Sequence, residues 1–484
     1  MIIPKEVKFV LEKLEKNGFK SHIVGGCVRD VLLGVEPNDW DVTTNAKPEE
    51  IEKIFKKSFY ENKFLTVTVQ TESKISNLKE IEVTSYRSEA KYSDKRHPDE
   101  ISFAKTLEED LARRDFTINA IAVSLKGEII DPFLGQKDLE KRIIRAVGDP
   151  EKRFGEDALR MMRAVRLASV LGDKWEIEPK TASAIQKNAF LLESISKERV
   201  RDELIKIISS KNAAKGIDLL RKMELLKYIL PELAESCGVS QNKHHIYDCY
   251  EHSLKSLEYA ARKGFNFHVR LAALLHDIAK PKVKRGEGEE ATFYNHEVVG
   301  AKMTDNILNR LKFPKKDIEK IVKLVRYHLF YYNVDEVTES SVRRLVRQVG
   351  PENMEELLQV RMADRIGSGV PKAEPYKLRH LKYVIEKVSQ DPISVTNLKI
   401  TGNDVTKELK IVPGPKVGYI LNILFGLILD NPKNNKKGFL LKEMKKLGKL
   451  SEKELVSLAE KAKKEREKVE TKRDEMTKKK YWVS

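Results

Sequence analysis

The chain has 484 residues, too many for one hydrophobic core, so we expect three or four domains of about 100 to 150 residues each. Lys and Arg number 91 against 74 Asp and Glu, a net charge of +17, which favours a polyanionic partner over a charge that only keeps the surface hydrated. Cys27, Cys237 and Cys249 form no C-x-x-C pair, the N-terminus is too charged for a signal peptide and no apolar run reaches about 18 residues, so we expect a cytoplasmic protein without disulfides, a thiolate zinc site or a membrane anchor.

The first 140 residues alternate between helix and strand signals. Apolar residues at helical spacing in 5–17 stop at Gly18, and the short apolar stretch SHIV that follows is typical of a strand. Gly25 and Gly26 then turn the chain into a second helix that reaches Leu33. Further predicted elements are a strand at DWDV (39–42), a helix from Pro48 and strands at 64–70, 80–86 and 121–125. This order predicts a mixed α/β domain.

From about residue 150 the β pattern stops, and helical sequence continues almost to the C-terminus. Proline-bearing breaks at 367–377 and 390–397 suggest late boundaries, and Lys and Glu dominate beyond Asn434. Both charge signs recur at helical spacing in this tail, which is typical of a solvated helix; its lysines could also follow RNA phosphates. The residues therefore predict a mixed head followed by an all-α remainder.

Two aspartates lie one residue apart in the stretch HIVGGCVRDVLLGVEPNDWDV. Because side chains alternate along a strand, Asp39 and Asp41 would share one face while Trp40 points to the other layer. Paired carboxylates repel each other, and a bound Mg²⁺, which prefers oxygen ligands, would neutralise this repulsion. Glu82 in another strand would complete a three-carboxylate site, which can hold two metals about 3.5 to 4 Å apart for phosphoryl chemistry. The glycine turn would offer backbone N–H groups to a triphosphate. A bare D-x-D pair is more often an ordinary turn or surface feature, so its surroundings decide.

Several longer motifs occur together in one order: GGCVRDVLLG, NDWDV, IEVTSYR, LEEDLARRDFTINAIA and IDPFLGQKDLEKRIIRAVGDPEKRFGEDALRMMRAVR. With these motifs the chain resembles the class II tRNA nucleotidyltransferase and poly(A) polymerase family, and the CCA-adding enzymes most closely. The similarity extends, more weakly, over nearly the whole chain. It implies an α+β fold: a nucleotidyltransferase head with a small mixed β-sheet (1–140), an all-α neck for nucleobase selection (141–210), a helical body with an HD domain (211–380) and a tRNA-binding tail (381–484).

The resemblance also implies roles for individual residues. Asp39 and Asp41 would bind catalytic Mg²⁺, with Glu82 as a third catalytic carboxylate. Asp115 could instead be only the ion-pair partner of a neighbouring arginine. The implied nucleotide-binding residues are Gly25, Gly26, Arg29, Arg114, Asp115, Asn119, Asp157, Arg160, Arg163 and Arg166.

Asp157 and Arg160 suggest how a base could be selected without a template. They are three residues apart and would be neighbours on one helix face, where a surface ion pair is the ordinary interpretation. A carboxylate, however, accepts from the exocyclic amine that cytosine and adenine share, and a guanidinium donates to the adjacent ring nitrogen. Guanine and uracil mismatch both contacts, which at about 1 to 3 kcal/mol each gives roughly two to four orders of magnitude of discrimination. The family resemblance assigns this role to the two residues.

The segment YSDKRHPDEISF resembles the flexible loop that the family uses in the switch from C to A addition. Tyr92, Asp94, Arg96 and Pro98 are present without a deletion, which favours a complete CCA enzyme over one that adds only C. An A-adding specialist and a poly(A) polymerase stay open. Leu65 stands where relatives commonly carry glycine, which suggests different packing near this loop.

A second candidate site lies in the helical half. HIYDCYEHSLKSLEYA, VRLAALLHDIAKP, YNHEV, VRYHLF and VRMADRIGSG occur in that order between 245 and 369, and they resemble the HD phosphohydrolases, which hold divalent metal. In some CCA-adding enzymes the HD domain is linked to phosphatase and cyclic phosphodiesterase activity, whereas in others only its helices remain. One such histidine alone is more often a core residue, but six residues in this order favour a metal site. The ligands would be His252, His276, Asp277 and Asp364, with His296 and His328 as further candidates.

Together the motifs predict template-independent addition of C, C and A to tRNA 3′ ends from CTP and ATP, with release of pyrophosphate. The expected partners are tRNA, ATP and CTP, and the expected cofactors are Mg²⁺ at the head and a second divalent metal at the HD site, in a monomer or homodimer. The rival functions are a poly(A) polymerase or an enzyme that adds only A, an HD phosphohydrolase, and a non-catalytic RNA-binding protein.

Overall fold

A computed structural model describes residues 3–61, 66–89, 101–242, 246–334, 336–370, 374–389, 398–430 and 434–483. The chain divides into two compact units. The first unit comprises Met1–Leu329 with Glu356–Pro371, and the second comprises Phe330–Glu355 with Lys372–Ser484. Both candidate sites lie in the first unit.

A seven-stranded sheet forms the N-terminal part of the first unit. The strands of the chain are β1 Ser21–Val24, β2 Asp41–Thr44, β3 Ser58–Glu61, β4 Thr66–Gln70, β5 Glu80–Ser85, β6 Arg87–Glu89, β7 Ile101–Phe103, β8 Ala122–Ser124, β9 Ile129–Ile130, β10 Ile143–Ile144 and β11 Glu176–Ile177. The sheet order is β3-β4-β5-β2-β1-β8-β9, in which β2 and β5 are parallel and the other neighbours antiparallel. The five predicted head strands are present, and β3 and β9 join them at the two edges.

Helices pack against this sheet and make up most of the rest of the described chain. Val7, Val10, Leu11 and Leu14 of the first helix are buried, as their spacing predicted. The helices are α1 Lys5–Lys16, α2 Gly26–Leu32, α3 Pro48–Ile54, α4 Leu107–Ala112, α5 Gly135–Lys141, α6 Pro150–Glu156, α7 Leu159–Val170, α8 Pro179–Asn188, α9 Lys197–Ser209, α10 Ala213–Lys222, α11 Leu226–Ile229, α12 Pro231–Ala234, α13 Cys249–Arg262, α14 Phe267–Leu275, α15 Lys280–Val283, α16 His296–Arg310, α17 Lys315–Tyr327, α18 Glu339–Val349, α19 Met354–Gly367, α20 Tyr376–Ser389, α21 Gly402–Leu409, α22 Pro415–Asp430, α23 Lys437–Leu447 and α24 Glu452–Lys480.

The second strand begins later than the sequence pattern predicted. β2 starts at Asp41, so the prediction that Asp39 lies inside it is wrong; Asp39 lies in an exposed bend before the strand. Trp40 is buried, as predicted, and its carbonyl accepts from the Glu82 N–H at 3.3 Å. The sheet's hydrogen bonds therefore reach one residue beyond the strand, and they fix the backbone that leads from Asp39 to Asp41.

The remainder of the first unit is helical with one small exception. β10 and β11 form a two-residue parallel pair, in which Ile144 lies opposite Ile177. The second strand of this pair lies beyond residue 150, where only helices were predicted. Two residues are too short for a recognisable period, so the sequence pattern could not indicate this pair.

The second unit has its own apolar core. Val405, Ile420, Leu424, Leu440 and Met444 are buried in it, together with residues from the start of α24. A reciprocal cap begins α24, in which the side chains of Ser451 and Glu454 each bind the backbone N–H of the other. The helical tail with both charge signs is thus present as predicted.

Candidate active site

The head carboxylates meet on one face of the sheet. Because β2 and β5 are parallel with Asp41 directly opposite Glu82, both side chains lie on the same face, where they line a cavity of about 500 Å³. Burial, and next the charge of Asp39, raise the pKa of Asp41 to about 7, against the opposing charge of Arg114. A carboxylate that resists ionisation beside like charges is stabilised in its charged form by a divalent cation, so these residues fit the Mg²⁺ that the motif implies.

The glycine turn permits Arg114 to approach these carboxylates. Gly25 has a φ of +85°, and a Cβ on it would lie 3.0 Å from Arg114 Nη1 and 3.4 Å from Asp41 Oδ2. Both the backbone conformation and the close approach of the guanidinium therefore favour glycine. The glycine turn thus leaves room for the Arg114 guanidinium beside the Asp41 carboxylate.

The cavity contains most of the predicted nucleotide-binding residues. Those that line it are Gly25, Gly26, Arg114, Asp115, Asn119, Arg160 and Arg163, beside the predicted catalytic residues Asp41 and Glu82. Arg87 and Arg113 also line it and were not predicted, so five arginines face three carboxylates. This excess of guanidinium groups suits the oxygens of a triphosphate. Arg29 is not among the lining residues, but it donates to Oδ1 of the lining residue Asn119 at 2.8 Å.

A buried aspartate that the sequence analysis missed holds two of these arginines. Asp110 is 0% exposed, and its carboxylate accepts from Arg113 Nε at 3.0 Å, Arg114 Nη2 at 3.4 Å and Thr43 Oγ1 at 3.3 Å. Burial alone would raise the pKa of Asp110, but Arg114 and Arg113 hold it below its usual value. The signal in the sequence was an acidic residue three and four positions before an arginine pair in a helix that opens with Leu107.

Asp115 is an ion-pair partner and also lines the cavity, so both interpretations of this residue have support. Its Oδ2 lies 2.8 Å from Arg163 Nη2, and its Oδ1 accepts from Asn119 Nδ2 at 3.2 Å. Burial opposes ionisation, but Arg163 and Arg160 hold the pKa of Asp115 below its usual value. The carboxylate thus fixes two other predicted nucleotide-binding side chains.

Asp157 and Arg160 do not share one helix, so this part of the prediction is wrong. α6 ends at Glu156 and α7 begins at Leu159, with Asp157 in the break between them. The Asp157 carbonyl accepts from the Arg160 N–H at 3.1 Å, and its Oδ1 accepts from the Leu159 N–H at 3.0 Å. Arg160 pairs with Glu156 at 2.6 Å instead of with Asp157. A backbone turn, instead of a helix, links Asp157 to Arg160, and the two side chains bind different partners.

The structure does not describe the predicted C-to-A switching loop or the position where relatives commonly carry glycine. Tyr92, Asp94, Arg96 and Pro98 lie outside the described residues, as does Leu65.

The six predicted HD ligands converge within the first unit. His252 lies in α13, His276 and Asp277 follow α14, and the remaining three lie at the start of α16, at the end of α17 and in α19. Asp364 Oδ1 lies 3.4 Å from His252 Nε2 and 3.5 Å from His276 Nε2. All six side chains are buried, so this group is a centre inside the helices.

Asp277 is shared between two sets of histidines. Its Oδ2 lies 3.1 Å from His252 Nε2 and 3.3 Å from His276 Nε2, while its Oδ1 lies 3.3 Å from His296 Nε2 and 3.7 Å from His328 Nε2. Each set brings three ligand atoms within 4.8 Å of one another. The donors therefore fit one cation in each set, with the aspartate common to both.

Backbone carbonyls orient three of these imidazole rings. Nδ1 of His276, His296 and His328 lies 2.8, 2.7 and 2.7 Å from the carbonyl oxygen three residues earlier. An Nδ1–H that donates there leaves the Nε2 lone pair facing Asp277, which is the arrangement of a metal-ligating histidine.

The charges of this centre also suit cations. Burial lowers the pKa of His276, but Asp277 and Asp364 overcome that effect and raise it to about 10. Burial and then His276 lower the pKa of His328 to about 3. Nε2 of His252 and His276 are only 2.9 Å apart, so both nitrogens can bind the same proton or the same cation.

Basic side chains border the cavity next to the HD centre. This cavity measures about 590 Å³ and is lined by Lys280, Arg361 and Arg365 as well as ligand residues. Lys280 Nζ lies 2.6 Å from Asp277 Oδ2, and Arg361 Nη1 lies 2.7 Å from Asp364 Oδ2. Such a wall suits a phosphoester.

Comparison with known proteins decides the family. The chain matches the poly A polymerase head domain over 21–145, a probable RNA and SrmB-binding site of polymerase A over 175–237, and the HD domain over 249–367. The CCA-adding enzyme of Ligilactobacillus salivarius is 36% identical over 455 residues, which are 92% of this chain and 98% of that relative. The chain belongs to the CCA-adding enzyme family. The Lactococcus lactis CCA-adding enzyme is 32% identical over 91% of this chain and 97% of its own length.

Solved structures of CCA-adding enzymes have the same fold. The crystal structure of the Bacillus stearothermophilus CCA-adding enzyme in complex with CTP is 30% identical, has a TM-score of 0.61, and is matched over 92% of this chain and 98% of that one. The Thermotoga maritima CCA-adding enzyme complexed with tRNA, at 19% identity and a TM-score of 0.51, agrees in fold over 91% and 95%. The predicted α+β class, with a sheet-bearing head and a helical body, is confirmed.

Family membership makes this CCA-adding enzyme a tRNA nucleotidyltransferase, and it does not favour the rival functions. Its nucleotidyltransferase and HD domains imply dependence on divalent metal. The three cysteines have free thiols, as predicted. No helix in the described part of the chain is both long and apolar enough to span a bilayer.

Proposed function

We propose that this chain adds C, C and A to the 3′ end of tRNA from CTP and ATP, through the cavity of the head. The observation that carries this proposal is the register of Asp41 with Glu82 beside Gly25 and Arg114. It supports a site in which carboxylates face the reacting α-phosphate and guanidinium groups bind the departing pyrophosphate.

The catalytic roles follow from the charges around the cavity. Asp39, Asp41 and Glu82 would hold Mg²⁺, which when bound would supply charge stabilisation for the attacking and leaving oxygens. Arg114, together with the other arginines of the wall, binds the phosphates. Asp110 keeps Arg113 and Arg114 in place through its ion pairs of 3.0 and 3.4 Å.

Asp157 and Arg160 select the base. The turn between α6 and α7 supports this role, because it brings Asp157 next to Arg160, which lines the head cavity. Arg163 and Arg166, on the following turns of α7, lie near the nucleotide and contribute to its binding. The acceptance of cytosine and adenine over guanine and uracil would then follow from the amine and ring-nitrogen contacts.

The other parts of the chain have supporting roles in this proposal. We divide it as head 1–140, neck 141–210, body 211–380 and tail 381–484, with Asp94 and Arg96 in the loop that switches from C to A. The lysine-rich helix α24 supports tRNA binding by the tail. The protein would act in the cytoplasm as a monomer or homodimer.

The HD centre has a second activity in this proposal, metal-dependent phosphoester hydrolysis. Four ligands, His252, His276, Asp277 and Asp364, would hold one divalent ion, and His296 and His328 would extend the set to a second. The shared Asp277 and the oriented Nε2 atoms support metal binding, and the basic wall supports a phosphoester substrate.

The test is incorporation of labelled CTP and ATP into tRNA transcripts that end before CCA, after C and after CC. We compare the wild type, the Asp39→Ala/Asp41→Ala variant, and Asp277→Asn as the matched control at the other centre. The wild type and the control should complete all three transcripts and stop after A, while the double variant should be inert. Incorporation of ATP alone or continued tailing would contradict CCA addition. Phosphoester hydrolysis that survives in the double variant and is lost in Asp277→Asn would assign the second activity to the HD centre.

A further inference from the structure

The carboxylate of Asp157 is held from a distant helix. Arg199 in the first turn of α9 approaches it with both terminal nitrogens, with Nη2 at 2.7 Å from Oδ2 and Nη1 at 3.3 Å from Oδ1. The two side chains are 26% and 14% exposed, so solvent screens this pair only weakly. A paired, planar contact of this kind fixes the orientation of a carboxylate as well as its position.

The contacts around Asp157 leave little acceptor capacity. An ionised carboxylate has about four acceptor positions. Within the described part of the chain, Oδ1 accepts from Leu159 N–H and from Arg199, and Oδ2 accepts from Arg199. About one position is left, on Oδ2, and it has a defined direction. One position matches the one amine hydrogen that a cytosine or adenine would offer.

Helix α9 also holds the side chain of Arg166, which the proposed function places near the nucleotide. Glu203, one turn after Arg199, is buried and its Oε2 lies 2.6 Å from Arg166 Nε. The far end of α9 is also fixed, because the buried guanidinium of Arg270 donates to the carbonyls of Ile208 at 3.1 Å and Ser210 at 2.8 Å. The helix is therefore fixed at its C-terminal end, and its side chains pair with Asp157 before α7 and with Arg166 inside α7.

We propose that Arg199 is a positioning residue for nucleotide selection, which orients Asp157 so that one acceptor position faces the amine of cytosine or adenine. This inference rests on the proposed role of Asp157. Arg199 itself does not touch the base. Without the paired contact, the carboxylate rotates and can accept from water or from other donors, so that the contact with the amine loses its selectivity.

The experiment measures selection directly. We determine kcat/KM for CTP and for UTP on a tRNA that lacks CCA, and for ATP and GTP on a tRNA that ends in CC. The ratio within each pair is the readout, because a loss of folded protein lowers both members equally and leaves the ratio unchanged. The variants are Arg199→Lys, which keeps the charge and loses the paired contact, Arg199→Gln, and Asp157→Asn. Arg201→Lys, on the same helix but paired with the exposed Asp202, is the matched control.

The expected results are specific to orientation. Arg199→Lys and Arg199→Gln should lower both ratios by about 10- to 100-fold, as small displacements of positioned groups do. Arg201→Lys should stay within about twofold of the wild type. In the Asp157→Asn background, Arg199→Lys should change the ratios by less than about threefold, because a residue that acts through Asp157 has nothing left to orient.

Two outcomes separate the inference from the function on which it rests. If Asp157→Asn lowers the ratios while both Arg199 variants keep them, or if the effects of the two substitutions multiply, Arg199 does not act through Asp157 and the inference is wrong. If Asp157→Asn itself keeps the ratios, the proposed base selection fails at its source.

Discussion

Replacement of Asp110 by Asn should destabilise the head and impair catalysis together. The substitution keeps the size of the side chain and removes the charge that Arg113 and Arg114 share. Both guanidinium groups are only 14% and 18% exposed, so water cannot fully replace the lost partner. Loss of one member of a buried pair costs about 3 to 5 kcal/mol, and we expect about 3 kcal/mol because both arginines border an open cavity.

The same contacts predict a dependence on pH. Arg114 and Arg113 hold the pKa of Asp110 below its usual value in the folded protein, whereas the unfolded chain has the ordinary value. The folded state therefore binds fewer protons, so this stabilisation is present above the unfolded pKa and is lost as the pH falls through the folded pKa. The difference in the free energy of unfolding between wild type and Asp110→Asn should consequently shrink as the pH is lowered below about 4.

The assay is urea unfolding followed by the fluorescence of Trp40. The chain has three tryptophans, and replacement of Trp175 and Trp482 by Phe leaves the buried Trp40 to report on the head alone. Glu108→Gln, an exposed change in the same helix, is the control. CTP incorporation is measured in parallel. Equal stability of Asp110→Asn and wild type within about 0.5 kcal/mol, together with full activity, would refute the argument that Asp110 positions the arginines.

Three further predictions concern single positions. Gly25→Ala should reduce CTP incorporation by at least about tenfold because its Cβ would lie 3.0 Å from Arg114 Nη1 at a positive φ; unchanged steady-state kinetics would contradict this. Added Mn²⁺ should raise the unfolding temperature of the wild type, with about 2.7 kcal/mol of stabilisation at 100 times Kd, and calorimetry should show a smaller response in Asp277→Asn, in which only the head carboxylates remain to bind the ion; an equal response in both proteins would contradict this. Gly367→Ala should weaken Mn²⁺ binding in titration calorimetry without loss of CTP incorporation, because its Cβ would lie 2.9 Å from the His252 carbonyl oxygen; equal Mn²⁺ affinity would contradict it.

The elements of the head could be predicted where a single face is buried. The apolar period of α1 gave Val7, Val10, Leu11 and Leu14, and all four are buried. The strand at Asp41 was placed two residues early, because alternation identifies which residues share a face but does not say where hydrogen bonding to a neighbour begins. β9 and β10 have two residues each, which is too few for a period to be visible.

Asp110 was within reach of the sequence and was missed. Leu107 and Leu111 lie three residues before and one after it, so Asp110 falls on the buried face of α4 at helical spacing, and Glu108 and Glu109 fall outside that face. A carboxylate on an apolar face needs a cationic partner, and the Arg113-Arg114 pair offers one at the correct spacing.

The contact between Asp157 and Arg199 could not be predicted in the same way. The two residues are 42 positions apart, and each has a nearer oppositely charged residue in the sequence: Arg160 for Asp157, and Glu198 for Arg199. Spacing favoured the local pair, but the break after α6 removed the shared helix on which that argument depended. Which of several charges becomes the partner of a buried carboxylate is decided by which helices pack together. Since α9 packs against α7, the orientation of the proposed base-selecting carboxylate is set by tertiary structure. Family motifs can name Asp157, but its selectivity should depend on a residue outside the motif that contains it.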